Sequence, residues 1–151
     1  MFRFHVIAFV TVLMHLALLA RTAPLQTRQI GNIQCNLDRL NIVLSLAAAK
    51  STAGKLSTAL SNSPDASNVQ SVTDGISGAQ GAIGVIGKAL LTGQSAPADA
   101  RQEVSGNLTI ATTALGKISS SDSKVSSTLA TAQKQLSDAV DAGNGVIANC
   151  K

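Results

Sequence analysis

Apolar residues recur along this chain at the three- and four-residue steps of an amphipathic helix, in four separate segments. In the first, Ile33, Leu37, Leu40, Leu44 and Ala47 fall on one helical face, and the pattern runs on less cleanly through Leu56 and Leu60. Asn32 stands where an N-cap is wanted. The stretch "SNSPDAS" (61–67) breaks the series at Pro64. The second segment gives Val69, Val72, Ile76, Ala79, Ile83, Ile86 and Leu90, and "LTGQSAP" (91–97) ends it. The third, after a Ser95-Ala96-Pro97 start suited to a helix N-terminus, gives Val104, Leu108, Ala111, Leu115 and Ile118. "SSSDS" (119–123) follows. The fourth gives Val125, Leu129, Ala132, Leu136, Val140, Gly143, Ile147 and Cys150.

Four amphipathic helices with short polar links favour antiparallel neighbours, so the expected fold is all-α, an up-down-up-down four-helix bundle. That topology brings the start of the first helix and the end of the fourth to one end of the molecule. The chain has two cysteines, Cys35 and Cys150, at just those places. An intramolecular disulfide is the expected arrangement; free thiols or an intermolecular bridge are the alternatives. Closing so long a loop is worth about 4–5 kcal/mol in the chain-entropy picture.

The residues ahead of the pattern differ in kind. Arg3 followed by "VIAFVTVLMHLALLA" (6–20) has the charge and length of a secretory leader and is short for a membrane span. A cut after Ala20 is favoured over one after Ala23, which Arg21 would precede closely. The expected organisation is a signal peptide at 1–20, a short pro-like or flexible segment at 21–31, and one helical domain at 32–151, with no transmembrane segment once the leader is gone. Arg28 is a weak second processing signal, and its use would leave Gln29 as a new N-terminus. A secretory route leads to an oxidising environment, where a disulfide persists.

Setting the leader aside changes the composition. Phe2, Phe4, Phe9, His5, His15, Met1 and Met14 all lie within it, so residues 29–151 hold no Phe, Trp, Tyr, His or Met. Nine Lys and Arg stand there against eight Asp and Glu, close to neutral. With neither a basic stripe nor a stacking residue, nucleic acid is not an expected partner. Without histidine the usual general base is missing, and the carboxylates are scattered, Asp138 and Asp141 sharing a face with Lys134 one turn away. No enzyme activity, metal or cofactor is expected. The core must be built from Leu, Ile, Val and Ala.

Glycine recurs at every third position through "GISGAQGAIGVIGKA" (75–89), at Gly75, Gly78, Gly81, Gly84 and Gly87. The run is too short and too poor in proline for collagen, and no strand precedes it as a phosphate loop requires. On a helix each glycine costs about 1 kcal/mol relative to alanine. Either the glycines admit a neighbouring backbone, or they leave a labile helix that moves aside for an apolar ligand. The second possibility places a site beside this helix: Ile83, Val85, Ile86, Leu90 and Leu91, with Leu40 and Leu44 as the opposing wall. "NLT" (107–109) is a glycosylation sequon, and Asn107 is expected off the buried face.

The leader, the short "APLQTRQIG" (23–31), the segment "RQIGNIQCNLDRLNIVLSLAAAK" (28–50) and the Ala-, Ser- and Thr-rich helical character of 29–151 together resemble the fungal hydrophobic-surface-binding, or cell-wall galactomannoprotein, family. The resemblance implies a secreted helical bundle that adsorbs to hydrophobic surfaces or binds lipids, in some members seated in the cell wall and carrying mannose glycans through which it meets wall polysaccharide. It supplies no catalytic residues. The alternative is a small secreted effector or inhibitor that binds a protein partner.

Overall fold

The computed structural model describes residues 32–150. The expected leader, the 21–31 segment and Arg28 lie outside them. Four helices follow in order: α1 (Ile33–Ala59), α2 (Ala66–Leu91), α3 (Ala98–Gly116) and α4 (Ser123–Asn149). They form an all-α up-down bundle in which each helix packs on its two neighbours and the diagonal pairs do not meet.

Local chemistry sets the helix ends. Asn32 caps α1, its Oδ1 accepting from the backbone N–H of Gln34 and of Cys35. Asp122 does the same for α4, accepting from Lys124 and Val125. After α2 the chain turns at Gly93, whose φ of 73° lies in the left-handed region that favours glycine. There Gln94 N–H donates to the Ala89 carbonyl at 2.9 Å and Gly93 N–H to the Leu90 carbonyl at 3.1 Å, a Schellman closure. Pro97 precedes α3 with no N–H to leave unpaired.

The four contacts are unequal. α1 lies closely along α4, and α2 along α3, whereas α1–α2 and α3–α4 meet less extensively. Glycine explains part of this, since interaxial distance follows the side chains at the contact. A Cβ on Gly75 would stand 2.7 Å from the Asn107 carbonyl oxygen and 3.0 Å from the Ala111 nitrogen of α3. In the other pair a Cβ on Gly145 would stand 2.7 Å from Cγ of Asp38. The molecule is thus two close helix pairs laid together over a core of Leu46, Leu56, Ile76, Leu115, Leu136, Val69 and Val72.

Connectivity gives the two ends different characters. The links 60–65 and 117–122 join the two pairs at one end, where Leu60, Ile118, Val125 and Leu129 are buried. At the other end lie the 92–97 link and the first and last described residues, Asn32 and Cys150. There the core narrows to small residues such as Ala82, Ala100 and Ala142, while Ile83, Ile86 and Val140 are only half-buried. The disulfide sits at this thinner end. Cys35 and Cys150 are bonded across a sequence separation of 115 residues, with Cα atoms 5.1 Å apart.

The expected apolar faces hold for α3, for the first half of α4, and for α2, where Val69, Val72, Ile76 and Ala79 are buried and Ile83 and Ile86 pack against the core. On α4 the buried stripe drifts to Ala139 and Ala142, leaving Ile147 exposed. On α1 the expected face is the wrong one. Its buried stripe is Cys35, Asp38, Ile42, Leu46, Ala49, Ala53 and Leu56, and Ile33, Leu37, Leu40 and Leu44 point to solvent. The physical reason is continuity. The Ile33 face continues after Ala47 as Ser51, Gly54 and Thr58, whereas Leu56 and Leu60, expected to extend it, are buried, and Leu56 falls in the Ile42 series, which spans the helix and includes the cysteine that must reach Cys150.

Candidate functional site

The helix with two apolar faces is α1. Leu46 is 0% exposed on one side, while on the opposite side Ile33, Leu37, Leu40 and Leu44 are 78%, 46%, 52% and 56% exposed. At 100° per residue, these four and the exposed Ala47 form a stripe centred about 180° from the buried one, with exposed Val43 at its margin. It runs about 21 Å along the helix at 1.5 Å per residue. Gln34, Asn36, Asn41 and Ala48 flank it without charge, and the one charge at its edge, Lys50, reaches to Gln80 Oε1 of α2 at 3.2 Å. Scattered exposed apolar residues need no explanation; a contiguous patch of roughly 500 Å² has the size of the largest apolar patch on an ordinary monomer, which is often functional.

Beside the stripe, between α1 and α4, an open cleft of about 450 Å³ is lined by Asp38, Asn41, Leu44, Ser45, Asp138, Asp141 and Ala142. Its carboxylates are largely engaged. Asp38, buried at the floor, accepts from Gln34 Nε2 at 2.9 Å and from Asn149 Nδ2 at 2.8 Å. Asp138 pairs with Lys134 one turn away, 2.8 Å at the closest atoms, on an exposed face. Asn32 Nδ2 in turn donates to the Asn149 carbonyl at 2.9 Å. The chain Asn32–Asn149–Asp38–Gln34 therefore stitches α1 to α4 beside the disulfide, and the buried carboxylate serves structure. Among the described residues no cluster of His, Cys, Asp or Glu is arranged to hold a metal ion, and no helix is long and apolar enough to cross a membrane.

The seven residues expected to line one apolar site are not brought together. Ile83 and Ile86 pack against the core, and Leu90 is half-buried on the same helix. Val85 and Leu91 are exposed, Leu91 at 89%. Leu40 and Leu44 belong to the outer stripe and face away from the core, so they form no wall opposite α2. Leu40 and Leu44 instead form the centre of the exposed apolar stripe of α1. Ile33, Leu37 and Ala47 are its other members, assigned to the core by the periodicity that singled them out, and exposed Val43 at its margin lay outside that series.

The glycine series divides in two. Gly75 and Gly78 meet α3, as close packing requires, whereas Gly81, Gly84 and Gly87 have nothing within 4 Å of an added Cβ. Their place is the half of α2 where the core is thin. Asn107 is a second departure from expectation. It is half-buried, its side chain lies where a Cβ on Gly78 would be, and its Nδ2 donates to the Glu103 carbonyl at 2.8 Å. The sequon asparagine thus faces the α2–α3 seam.

No protein-family model, curated protein or solved structure matches this chain. Its own geometry carries the functional reading.

Proposed function

We propose that this is a secreted, non-enzymatic protein that binds apolar surfaces and lipid, and that it does so through the outer stripe of α1. One observation carries the reading: a helix that already supplies a complete buried face presents a second, exposed apolar face on the opposite side. Burying a half-exposed leucine contributes about 1 kcal/mol. Five such side chains give roughly 5 kcal/mol before the cost of orienting the molecule. That describes weak, reversible adsorption of the kind known for shallow interfacial helices. The disulfide is compatible with an extracellular location, and the resemblance of the leader and of residues 29–151 to fungal hydrophobic-surface-binding proteins points the same way.

The test is depletion from solution by alkyl-coated beads and by neutral lipid vesicles, set against bare silica of equal area. Preferential, detergent-reversible uptake on the alkyl and lipid surfaces is expected. Equal uptake on all three, or none, would sink the reading.

A further inference from the structure

The stripe that the preceding section assigns to adsorption is also complementary to itself. Ile33, Leu37, Leu40, Leu44 and Ala47 follow alternating steps of four and three residues, the register of a two-stranded helical seam. If two copies of α1 cross antiparallel with a two-fold axis at Leu40, Leu40 meets the partner's Leu40. Leu37 then meets the partner's Leu44, and the large Ile33 falls opposite the small Ala47 of the partner subunit. The two-fold needs one patch that fits its own copy, and this pairing of sizes supplies it. The flanking positions Gln34, Asn36, Asn41, Val43 and Ala48 are uncharged, and Lys50, at the far end from the axis and bonded to Gln80, does not face the partner's Lys50. α1 stands at a corner of the bundle, with α2 and α4 on its flanks and the stripe facing outward, so the two bundles clear one another.

We propose that in solution a second copy of this chain covers the stripe, as an antiparallel α1–α1 dimer centred on Leu40, and that adsorption competes with this pairing. Covering roughly 500 Å² on each copy removes about 1,000 Å² in total, at the lower bound for a specific interface. The dimer is therefore reversible, with dissociation in the micromolar range. A weak dimer suits the reading on which it rests: the apolar face is kept from water in bulk and released where a larger apolar surface is on offer.

The experiment is sedimentation velocity of the secreted protein over a concentration series, joined to cross-linking by introduced cysteines, with peptide mapping to confirm that Cys35–Cys150 stays intact. A monomer–dimer equilibrium is expected. Leu40→Cys should oxidise to a covalent dimer, and Leu37→Cys and Leu44→Cys should cross-link when mixed and neither alone. Leu40→Lys, which sets two like charges on the axis, should weaken the dimer about a hundredfold. Sedimentation as a monomer throughout, without cross-linking at Leu40→Cys, overturns the proposal. So does cross-linking of Leu37→Cys or Leu44→Cys alone, which would mean parallel pairing. A monomer that still adsorbs to alkyl beads overturns the dimer and leaves the functional reading standing. A dimer that never adsorbs supports the pairing and removes that reading.

Discussion

Gly75 of α2 lies against the backbone of α3 at Asn107, so close that an added Cβ would stand 2.7 Å from the Asn107 carbonyl oxygen. Backbone cannot swing aside as a long side chain can, so Gly75→Ala must part the two helices. A cost of about 1–3 kcal/mol is expected. Gly84, three steps further along the same series, has nothing within 4 Å of an added Cβ. Gly84→Ala should stabilise by about 0.5–1 kcal/mol through helix propensity. Denaturant melts of the two variants check both signs, and equal effects would contradict the division of the series.

The disulfide crosses the end of the bundle where the core is thinnest. Replacing both Cys35 and Cys150 by serine should remove about 4 kcal/mol and lower Tm by roughly 15 °C. Thermal unfolding followed by circular dichroism measures this. An unchanged Tm would mean that the bond contributes nothing to the fold it closes.

Asp38 is the buried acceptor between Gln34 and Asn149. Asp38→Ala leaves two amide donors without their partner and should cost about 1–3 kcal/mol. Because it ties the same helix ends as the disulfide, its cost should not add to that of the serine pair. A double-mutant cycle by urea unfolding reads the coupling, and strict additivity would show that the two ties act independently.

At Asn107 a glycan on Nδ2 would take one of the two N–H groups of the nitrogen that bonds Glu103, and would crowd the seam where the side chain lies over Gly78. The folded protein from a eukaryotic host should therefore be unmodified there. Peptide mass after enzymatic deglycosylation in heavy water decides it. An occupied Asn107 in protein of normal melting temperature would show that the α2–α3 seam tolerates the sugar.

The bundle and its disulfide were legible because each rests on a simple constraint. Four periodic segments with short links leave few topologies, and the up-down one brings Cys35 to Cys150. The face of α3 was legible because Val104, Leu108, Ala111, Leu115 and Ile118 are its principal stripe. α1 misled because it has two, and the one richer in large residues over its first four turns is the outer one. Periodicity alone does not say which stripe faces inward; the reach of the Ile42 series to Leu56 does. The placing of Leu40 and Leu44 opposite Ile83 and Ile86 failed with that choice. The glycines were ambiguous for a different reason: whether a neighbour stands close depends on packing between helices that no single segment encodes.

The stripe is the centre of this account, and one comparison tests it most directly. Leu40→Gln/Leu44→Gln should leave Tm within a few degrees of the parent, since exposed substitutions alter stability by about 0.5 kcal/mol or less each. The same double variant should lose most uptake on alkyl-coated beads, about tenfold or more in affinity. Leu91→Gln, at a more exposed leucine outside the stripe, should adsorb like the parent. Uptake unchanged in the double variant, or lost equally with Leu91→Gln, would contradict the assignment of the outer face of α1.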